Sequence, residues 1–106
     1  MAVPAVADEC GRRGVRALVV ISSGVDAGEP LMPVRAHGIR LVGPNCLGVS
    51  TSSPGVLMNA TFAAGRALAG GIGLVTLSGG IAIGVREEVP RLGLGLSNLV
   101  STGTSE

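Results

Sequence analysis

The chain has 106 residues, the length of one small domain or two half-domains, and 46% of them are apolar. Only 14% are charged and the formal net charge is +1, which argues against disorder and against a nucleic-acid-binding surface. All eight basic residues are Arg, so a Walker A loop, a Schiff-base lysine and a pyridoxal phosphate lysine are excluded. One His and two Cys argue against a zinc site within one chain, and Phe62, the single aromatic residue, cannot form a base-stacking platform.

The amino-terminal segment and the cysteines indicate the compartment. Residues 1–10 contain no basic residue and include Asp8 and Glu9, unlike a secretory signal. Cys10 and Cys46 are therefore expected to be free thiols in a reducing cytoplasm.

Residues 67–85 carry no charge and are long enough to span a membrane, but six of them are Gly. Because Gly destabilises a helix interior, a buried strand followed by a helix is favoured over a transmembrane helix.

The first half of the chain predicts a helix and two short strands. A helix is expected over residues 5–13, with Gly14 as its left-handed cap. Residues 15–21 are apolar and rich in β-branched side chains, which is typical of a strand buried on both faces of a parallel sheet. Residues 26–37 contain two prolines and leave room for one short helix at most. Residues 39–42 predict the second strand.

The second half predicts a loop over residues 49–55, which are rich in Ser, Thr and Pro, with a domain boundary between about residues 50 and 70. Residues 72–77 predict a third buried strand, followed by a tight turn and an amphipathic helix over residues 81–92. Residues 97–100 begin a fourth strand. Strands and helices alternate along the chain, which indicates an α/β fold with parallel strands.

The most informative motif is the turn between the third strand and the last helix. Ser78, Gly79 and Gly80 let the backbone turn sharply, and the first N–H groups of the helix would then face one point where an anion is favoured. Phosphate binding is the functional interpretation, and a structural turn capped by Ser78 is the alternative. Two sharper motifs fail, because Ile81 breaks a G-x-G-x-x-G fingerprint and Thr76 breaks a G-x-S-x-G elbow.

A second loop, residues 43–48 (GPNCLG), follows the second strand. A catalytic role for Cys46 would need a base, and His37 is the sole candidate. A surface or helix-capping role is favoured for His37, so a catalytic Cys46 is not favoured. The loop of residues 22–24 would reach the same sheet edge as Asn45. Two such loops form either a crevice for a nucleotide-like ligand or plain connections.

Five strings occur in an order that resembles one family. They are VPAVADECGRRGVRALVVISSG, HGIRLVGPNCLG, LMNATFA, IGLVTLSGG and RLGLGLSNLVSTG. The chain resembles the NDP-forming acyl-CoA synthetases, relatives of the α subunit of succinyl-CoA synthetase, and HGIRLVGPNCLG is the most specific string. Some actinobacterial members are fused to an N-acetyltransferase domain. The resemblance covers nearly the whole chain, which matches only a slice of the family protein.

The resemblance implies an α/β fold made of two partial domains. Residues 1–55 would be the second half of a Rossmann-like CoA-binding domain, residues 56–70 a linker, and residues 71–106 the first βαβ of a flavodoxin-like domain. The family joins a carboxylic acid to coenzyme A with ATP, through an acyl phosphate and a phosphohistidine. No catalytic or metal-binding residue is assigned in this chain. The residues expected to bind CoA are Ile21, Ser22, Ser23, Asn45 and Cys46, and those expected to bind phosphate are Ser78, Gly79 and Gly80.

The resemblance also implies what the slice lacks. The family's CoA-phosphate loop, its phosphohistidine and its ATP-grasp part fall outside it, so the chain alone is not expected to catalyse ligation. ATP or ADP would bind through these missing parts of the parent protein. The expected partners are CoA, an acyl phosphate, and either a second copy in a homo-oligomer or a β-subunit or ATP-grasp chain, with no nucleic acid or membrane partner. Residues 76–80 replace the usual S-Q-S-G-A, and Thr104 replaces an Asn. These changes favour an alternative, a non-catalytic regulatory or scaffold module of a fused protein acetyltransferase.

Overall fold

The structure is a computed structural model that describes residues 3–26, 31–65 and 68–104. Within these ranges it contains helices, strands and one 3₁₀ turn that follows the third helix directly. In chain order the elements are α1 (Val3–Arg12), β1 (Ala17–Val19), α2 (Leu31–His37), β2 (Arg40–Val42), β3 (Gly48–Thr51), β4 (Met58–Thr61), β5 (Ala69–Thr76), α3 (Gly79–Glu88), the 3₁₀ turn Val89–Leu92 and β6 (Leu96–Ser101).

The first part of the fold is a parallel pair of strands covered by two helices. β1 and β2 pair in parallel, with Leu18 opposite Leu41. Ala7 of α1 and Val34 of α2 are buried against Ile39, and the two strand leucines pack on this cluster. Apolar side chains on one stripe of each helix therefore hold the helices to the strands by burial of apolar surface.

The second part is a four-stranded sheet in the order β4-β3-β6-β5. β5 and β6 are parallel and α3 forms the crossover between them, whereas β3 is antiparallel to both β4 and β6. A cluster of buried apolar residues fills the space between this sheet, α3 and the 3₁₀ turn. Its members are Leu47, Ala82, Val89, Leu96 and Leu99.

The α/β fold class is confirmed, but two strands were not predicted. The predicted loop over residues 49–55 is wrong at its start, because residues 48–51 form β3 and pair with β6. β4 lies within the predicted linker of residues 56–70, and β5 begins at Ala69. The sheet is therefore mixed rather than parallel throughout. The division into units 1–55, 56–70 and 71–106 remains a prediction.

The predicted burial of the strands on both faces is also wrong. Ala17 of β1 is exposed, and Val75 of β5 is 73% exposed. The helices pack against Leu18 and Leu41, and no residue of β1 or β2 is fully buried, so both strands keep contact with solvent. The predicted helix over residues 81–92 ends at Glu88, and its last turn is the 3₁₀ turn that contains Pro90. In the described part of the chain, no helix has the length and hydropathy that crossing a membrane requires.

Candidate functional site

The centre of the candidate site is the loop of residues 43–47, which we call the central loop. It leaves β2 and enters β3, so it connects the two sheets. Three hydrogen bonds attach it to the end of β6 and the residues that follow. They join the N–H of Gly43 to the carbonyl of Thr102 (3.1 Å), the N–H of Thr104 to the carbonyl of Pro44 (2.9 Å) and the N–H of Leu47 to Oγ of Ser101 (3.0 Å).

The central loop also contacts the residues that follow β1. The N–H of Asn45 donates to the carbonyl of Ser22 (3.0 Å), and the thiol of Cys46 donates to the carbonyl of Val20 (3.3 Å). At Gly43, where φ is 98°, a Cβ atom would lie 2.1 Å from the Val20 carbonyl oxygen. Glycine is therefore required there, both for the backbone conformation and for the close approach of the two loops. Asn45, with φ of 54°, adopts the unusual backbone angle that its residue type tolerates.

Cys46 and His37 do not form a nucleophile and base pair. Cys46 is buried, and burial raises the pKa of its thiol, so it is neutral near pH 7. His37 ends α2, before β2 begins, whereas Cys46 follows the far end of β2. The Nε2 of His37 donates to the carboxylate of Asp8 at 2.8 Å. The favoured surface role of His37 is therefore a contact between α1 and α2. Cys10 and Cys46 are free thiols, as expected.

The turn before α3 confirms the structural interpretation of its sequence, and phosphate binding there remains a prediction. Ser78 is the N-cap of α3, and its Oγ accepts a hydrogen bond from the N–H of Ile81 at 3.2 Å. Gly79 and Gly80 occupy the first two helical positions, so no carbonyl lies one turn earlier to accept from their N–H groups. Gly80 is exposed and Gly79 is half-buried. A Cβ atom added at Gly79 would lie 3.4 Å from the Cβ of Leu47. The cap thus fixes the start of a helix, and the dipole of a helix favours an anion at that end.

These loops surround one open cleft of about 470 Å³. The cleft lies where β1, β2 and β5 end, and seven of the eight residues predicted to bind a ligand line it. The eighth, Ser22, contributes its carbonyl to the central loop instead. The predicted residues that line the cleft are Ile21, Ser23, Asn45, Cys46, Ser78, Gly79 and Gly80.

The chain was compared with known proteins. No protein-family model matches it. It is 38% identical to an ADP-forming acetate–CoA ligase I of Archaeoglobus fulgidus and 37% identical to the α subunit of an ADP-forming acetate–CoA ligase I of Pyrococcus furiosus, in each case over 95% of the chain. A solved structure of a dinucleotide-forming acetyl-coenzyme A synthetase 1 of Candidatus Korarchaeum cryptofilum, in complex with phosphate and ADP, superposes on 96% of the chain with a TM-score of 0.87 and 30% identity. Over nearly its whole length the chain therefore matches the NDP-forming acyl-CoA synthetases that its motifs resemble. It spans 16% and 23% of the two ligases, and 23% of the synthetase chain.

Four apolar residues of the chain also line the cleft, and none of them was predicted as a site residue. Phe62 follows β4, which was not predicted, and Leu77 lies between β5 and the capping Ser78. Phe62 had one available signal, because it is the single aromatic residue of the chain and stands among small residues. The four residues are Leu47, Phe62, Leu77 and Ile83.

Proposed function

We propose that the chain is part of an NDP-forming acyl-CoA synthetase and that its cleft binds CoA and a phosphate group during ATP-dependent ligation of a carboxylic acid to the CoA thiol. One observation carries the proposal. The residues that follow β1, β2 and β5 line a single cleft, together with the start of α3. The ends of parallel strands are where ligands of open α/β sheets bind.

The roles of the residues follow from their chemistry. The amides of Gly79 and Gly80 bind phosphate oxygens, because N–H groups at a helix start carry partial positive charge. The Ser78 hydroxyl accepts the N–H of Ile81 and so positions these amides, and its own proton remains to donate to a phosphate oxygen. Ile21, Ser22, Ser23, Asn45 and Cys46 form the CoA side of the cleft, with Cys46 as a neutral wall.

The complete reaction needs two further parts, an ATP site and a phosphate carrier. His37 is the one histidine of the chain, and its hydrogen bond to Asp8 keeps it on the α1–α2 surface. We therefore assign the role of phosphate carrier to a histidine in another part of the parent protein. We assign the binding of ATP or ADP to an ATP-grasp partner, and one relative is itself named a subunit α. The free thiols fit a reducing cytoplasm.

Titration calorimetry of the chain with CoA tests the CoA side of the cleft. Ser23 is exposed and lines the cleft, so Ser23→Glu adds a negative charge beside a polyanionic ligand. We expect at least about fivefold weaker CoA binding, which corresponds to about 1 kcal/mol. Ser53→Glu is the matched control, because Ser53 is exposed and does not line the cleft, and it should leave the affinity unchanged. No heat at millimolar CoA from a chain with a folded circular-dichroism spectrum would overturn the proposal and leave the scaffold role.

Titration with acetyl phosphate, followed by ³¹P NMR, tests the phosphate side. A Cβ atom at Gly80 would contact only Oγ of Ser78, at 3.7 Å, so Gly80→Glu fits sterically. A carboxylate in the first turn also favours the helix, but here it would occupy and repel the anion site. We expect at least about fivefold weaker binding. Gly80→Ala and Gly84→Glu, whose Cβ meets open space, are the controls for size and charge. Equal effects of the two glutamates would overturn the assignment of the amides.

A further inference from the structure

A second open cavity lies at the other end of the β1–β2 pair from the cleft. Its volume is about 520 Å³, within the usual range of small-ligand sites. The cleft follows the carboxyl ends of β1 and β2, whereas the residues of this cavity lie in the last turns of α1 and α2 or at the starts of the two strands. We call it the basic cavity, because Arg16, His37 and Arg40 line it.

The two arginines of the basic cavity belong to neighbouring strands. Arg40 begins β2, and Arg16 lies directly before β1. The N–H of Arg40 donates to the carbonyl of Arg16 at 3.0 Å, so two positive charges are attached to backbone positions in direct contact. Like charges so placed repel each other, and a ligand with two negative groups would offset that repulsion.

Neither arginine is used by the rest of the fold. Within the ranges that the structure describes, the other arginines form ion pairs or donate to backbone carbonyls, apart from Arg35. Arg16, Arg35 and Arg40 are all exposed and have no such contact there, and Arg35 does not line the basic cavity. The N–H donors of the Arg16 and Arg40 guanidinium groups are therefore available to a ligand.

Helix capping does not account for the two arginines. Cations are favoured near the carboxyl end of a helix, and α1 and α2 both end beside the basic cavity. Backbone N–H groups already reach the carbonyls of both last turns. The N–H of Val15 donates to the carbonyl of Cys10 at 3.0 Å, and the N–H of Ile39 donates to that of Val34 at 2.8 Å.

The carboxylates of α1 do not compete for the two arginines. Asp8 forms ion pairs with Arg12 and His37, and Glu9 forms one with Arg13. Among the described residues that line the basic cavity, none is acidic. An anion that enters the cavity therefore meets unpaired positive charge and no acidic side chain in its lining.

The walls of the basic cavity favour a compact, strongly polar ligand. A Cβ atom at Gly11 would lie 2.2 Å from the His37 ring, so this ring packs directly on α1. Gly14 and Gly38 add no side chain to the lining. The one Phe of the chain, Phe62, lines the cleft instead, so the described lining has no Phe, Tyr or Trp on which a nucleotide base could stack.

We propose that the basic cavity binds a small anion with two phosphoryl groups, to which Arg16 and Arg40 donate. Guanidinium groups match phosphate geometry, because two parallel N–H groups donate to two oxygens of one phosphoryl group. The inference does not rest on the proposed function. Because the basic cavity and the cleft lie at opposite ends of the β1–β2 pair, the anion and CoA can bind together.

Titration calorimetry of the chain with pyrophosphate at about 20 mM salt tests the inference, since exposed charges are weakly screened there. We expect pyrophosphate to bind at least about tenfold tighter than orthophosphate, because it has one phosphoryl group for each arginine. ADP carries the same diphosphate on a nucleoside and should bind no tighter than pyrophosphate. No heat at millimolar pyrophosphate, or a preference for ADP, would overturn the inference.

Three variants with the same loss of charge identify the arginines. Arg16→Gln and Arg40→Gln should each weaken pyrophosphate binding at least about fivefold. Arg35→Gln is the matched control, because it removes an exposed arginine outside the basic cavity, and it should change the affinity by less than about twofold. Circular dichroism confirms that each variant is folded. Equal losses in all three would show attraction to the net charge alone and contradict the assignment.

The ¹H–¹⁵N NMR spectrum of the unsubstituted chain locates the anion without relying on a variant. Pyrophosphate should shift the amide signals of Gly14, Arg16 and Gly38. Shifts confined to Gly79 and Gly80 would place the anion at the turn before α3, which would refute the basic cavity and leave the proposed function standing. Calorimetry in the Gly80→Glu chain, where that turn is blocked, should still show pyrophosphate binding.

Discussion

The hydroxyl of Ser101 provides the sharpest test of how the central loop is held. Ser101 is fully buried, and its Oγ accepts the N–H of Leu47, also fully buried, at 3.0 Å. Ser101→Ala removes one oxygen atom and leaves the Leu47 N–H without an acceptor in an apolar environment. An unsatisfied buried donor costs about 1–3 kcal/mol. For a domain of about this size, each kcal/mol lowers Tm by about 4–8 °C, so Tm should fall by about 4–24 °C.

Urea denaturation followed by far-ultraviolet circular dichroism measures this loss. Ser53→Ala is the control, because Ser53 is exposed and its substitution should change the free energy of unfolding by less than about 0.5 kcal/mol. Ser101→Cys should be intermediate, since sulfur is a weaker acceptor. If Ser101→Ala unfolds within about 0.5 kcal/mol of the unchanged chain, the bond to Leu47 does not hold the loop and the reasoning fails.

Two further predictions concern the backbone at the loop and the contact between the helices. Gly43→Ala should destabilise the fold by more than about 1 kcal/mol in urea titrations, because its Cβ would overlap the Val20 carbonyl at a positive φ. Gly55→Ala is the control, since its Cβ would meet open space, and it should be neutral or slightly stabilising. Equal effects of the two substitutions would contradict the reasoning. The hydrogen bond from His37 holds the pKa of the Asp8 carboxyl below its ordinary value. The ionised Asp8 therefore stabilises the folded state at pH values above its unfolded pKa of about 4, and this stabilisation is lost as the pH falls through the lower folded pKa. Asp8→Asn should therefore lose less stability than the unchanged chain between about pH 5 and about pH 2, and identical acid limbs would contradict the assignment.

The elements that the sequence predicts correctly are those with a local signal. The apolar run of residues 15–21 contains β1, and residues 72–77 overlap β5, the strand that leads into the turn at Ser78. Small residues after these runs mark the turns, because only small residues allow the chain to reverse closely there. The three site loops are therefore readable without knowledge of the tertiary structure.

The strands that the sequence does not reveal depend on distant partners. β3 contains Ser50 and Thr51, which give no clear apolar alternation, and its strand status comes from pairing with β6, where Gly48 lies opposite Ser101. No pattern within a short window contains that information. Because β4 was missed with β3, the turn that carries Phe62 could not be assigned to the cleft.

The exposed strand faces have the same physical origin. An apolar run such as that of β5 predicts a buried strand, because apolar side chains are stabilised by burial. Burial also requires another element that covers that face of the strand. Val75 is 73% exposed, and α3 packs on the opposite face, where Leu74 joins the core. Sequence identifies which residues are apolar, whereas the number of layers depends on the whole assembly of elements.

The attachment of the central loop determines which substitutions the site can absorb. Most of its hydrogen bonds to the segments that follow the neighbouring strands join main-chain atoms, which every residue type except proline provides, so many side chains there can change without moving the loop. The exceptions are Ser101, whose hydroxyl accepts from Leu47, and two glycines against which other backbone lies directly, Gly43 and Gly103, where an added Cβ would lie 2.1 Å and 2.3 Å from a carbonyl oxygen. Sequence changes can therefore alter the ligand preference of such a cleft while its outline persists, provided that these three residues are kept.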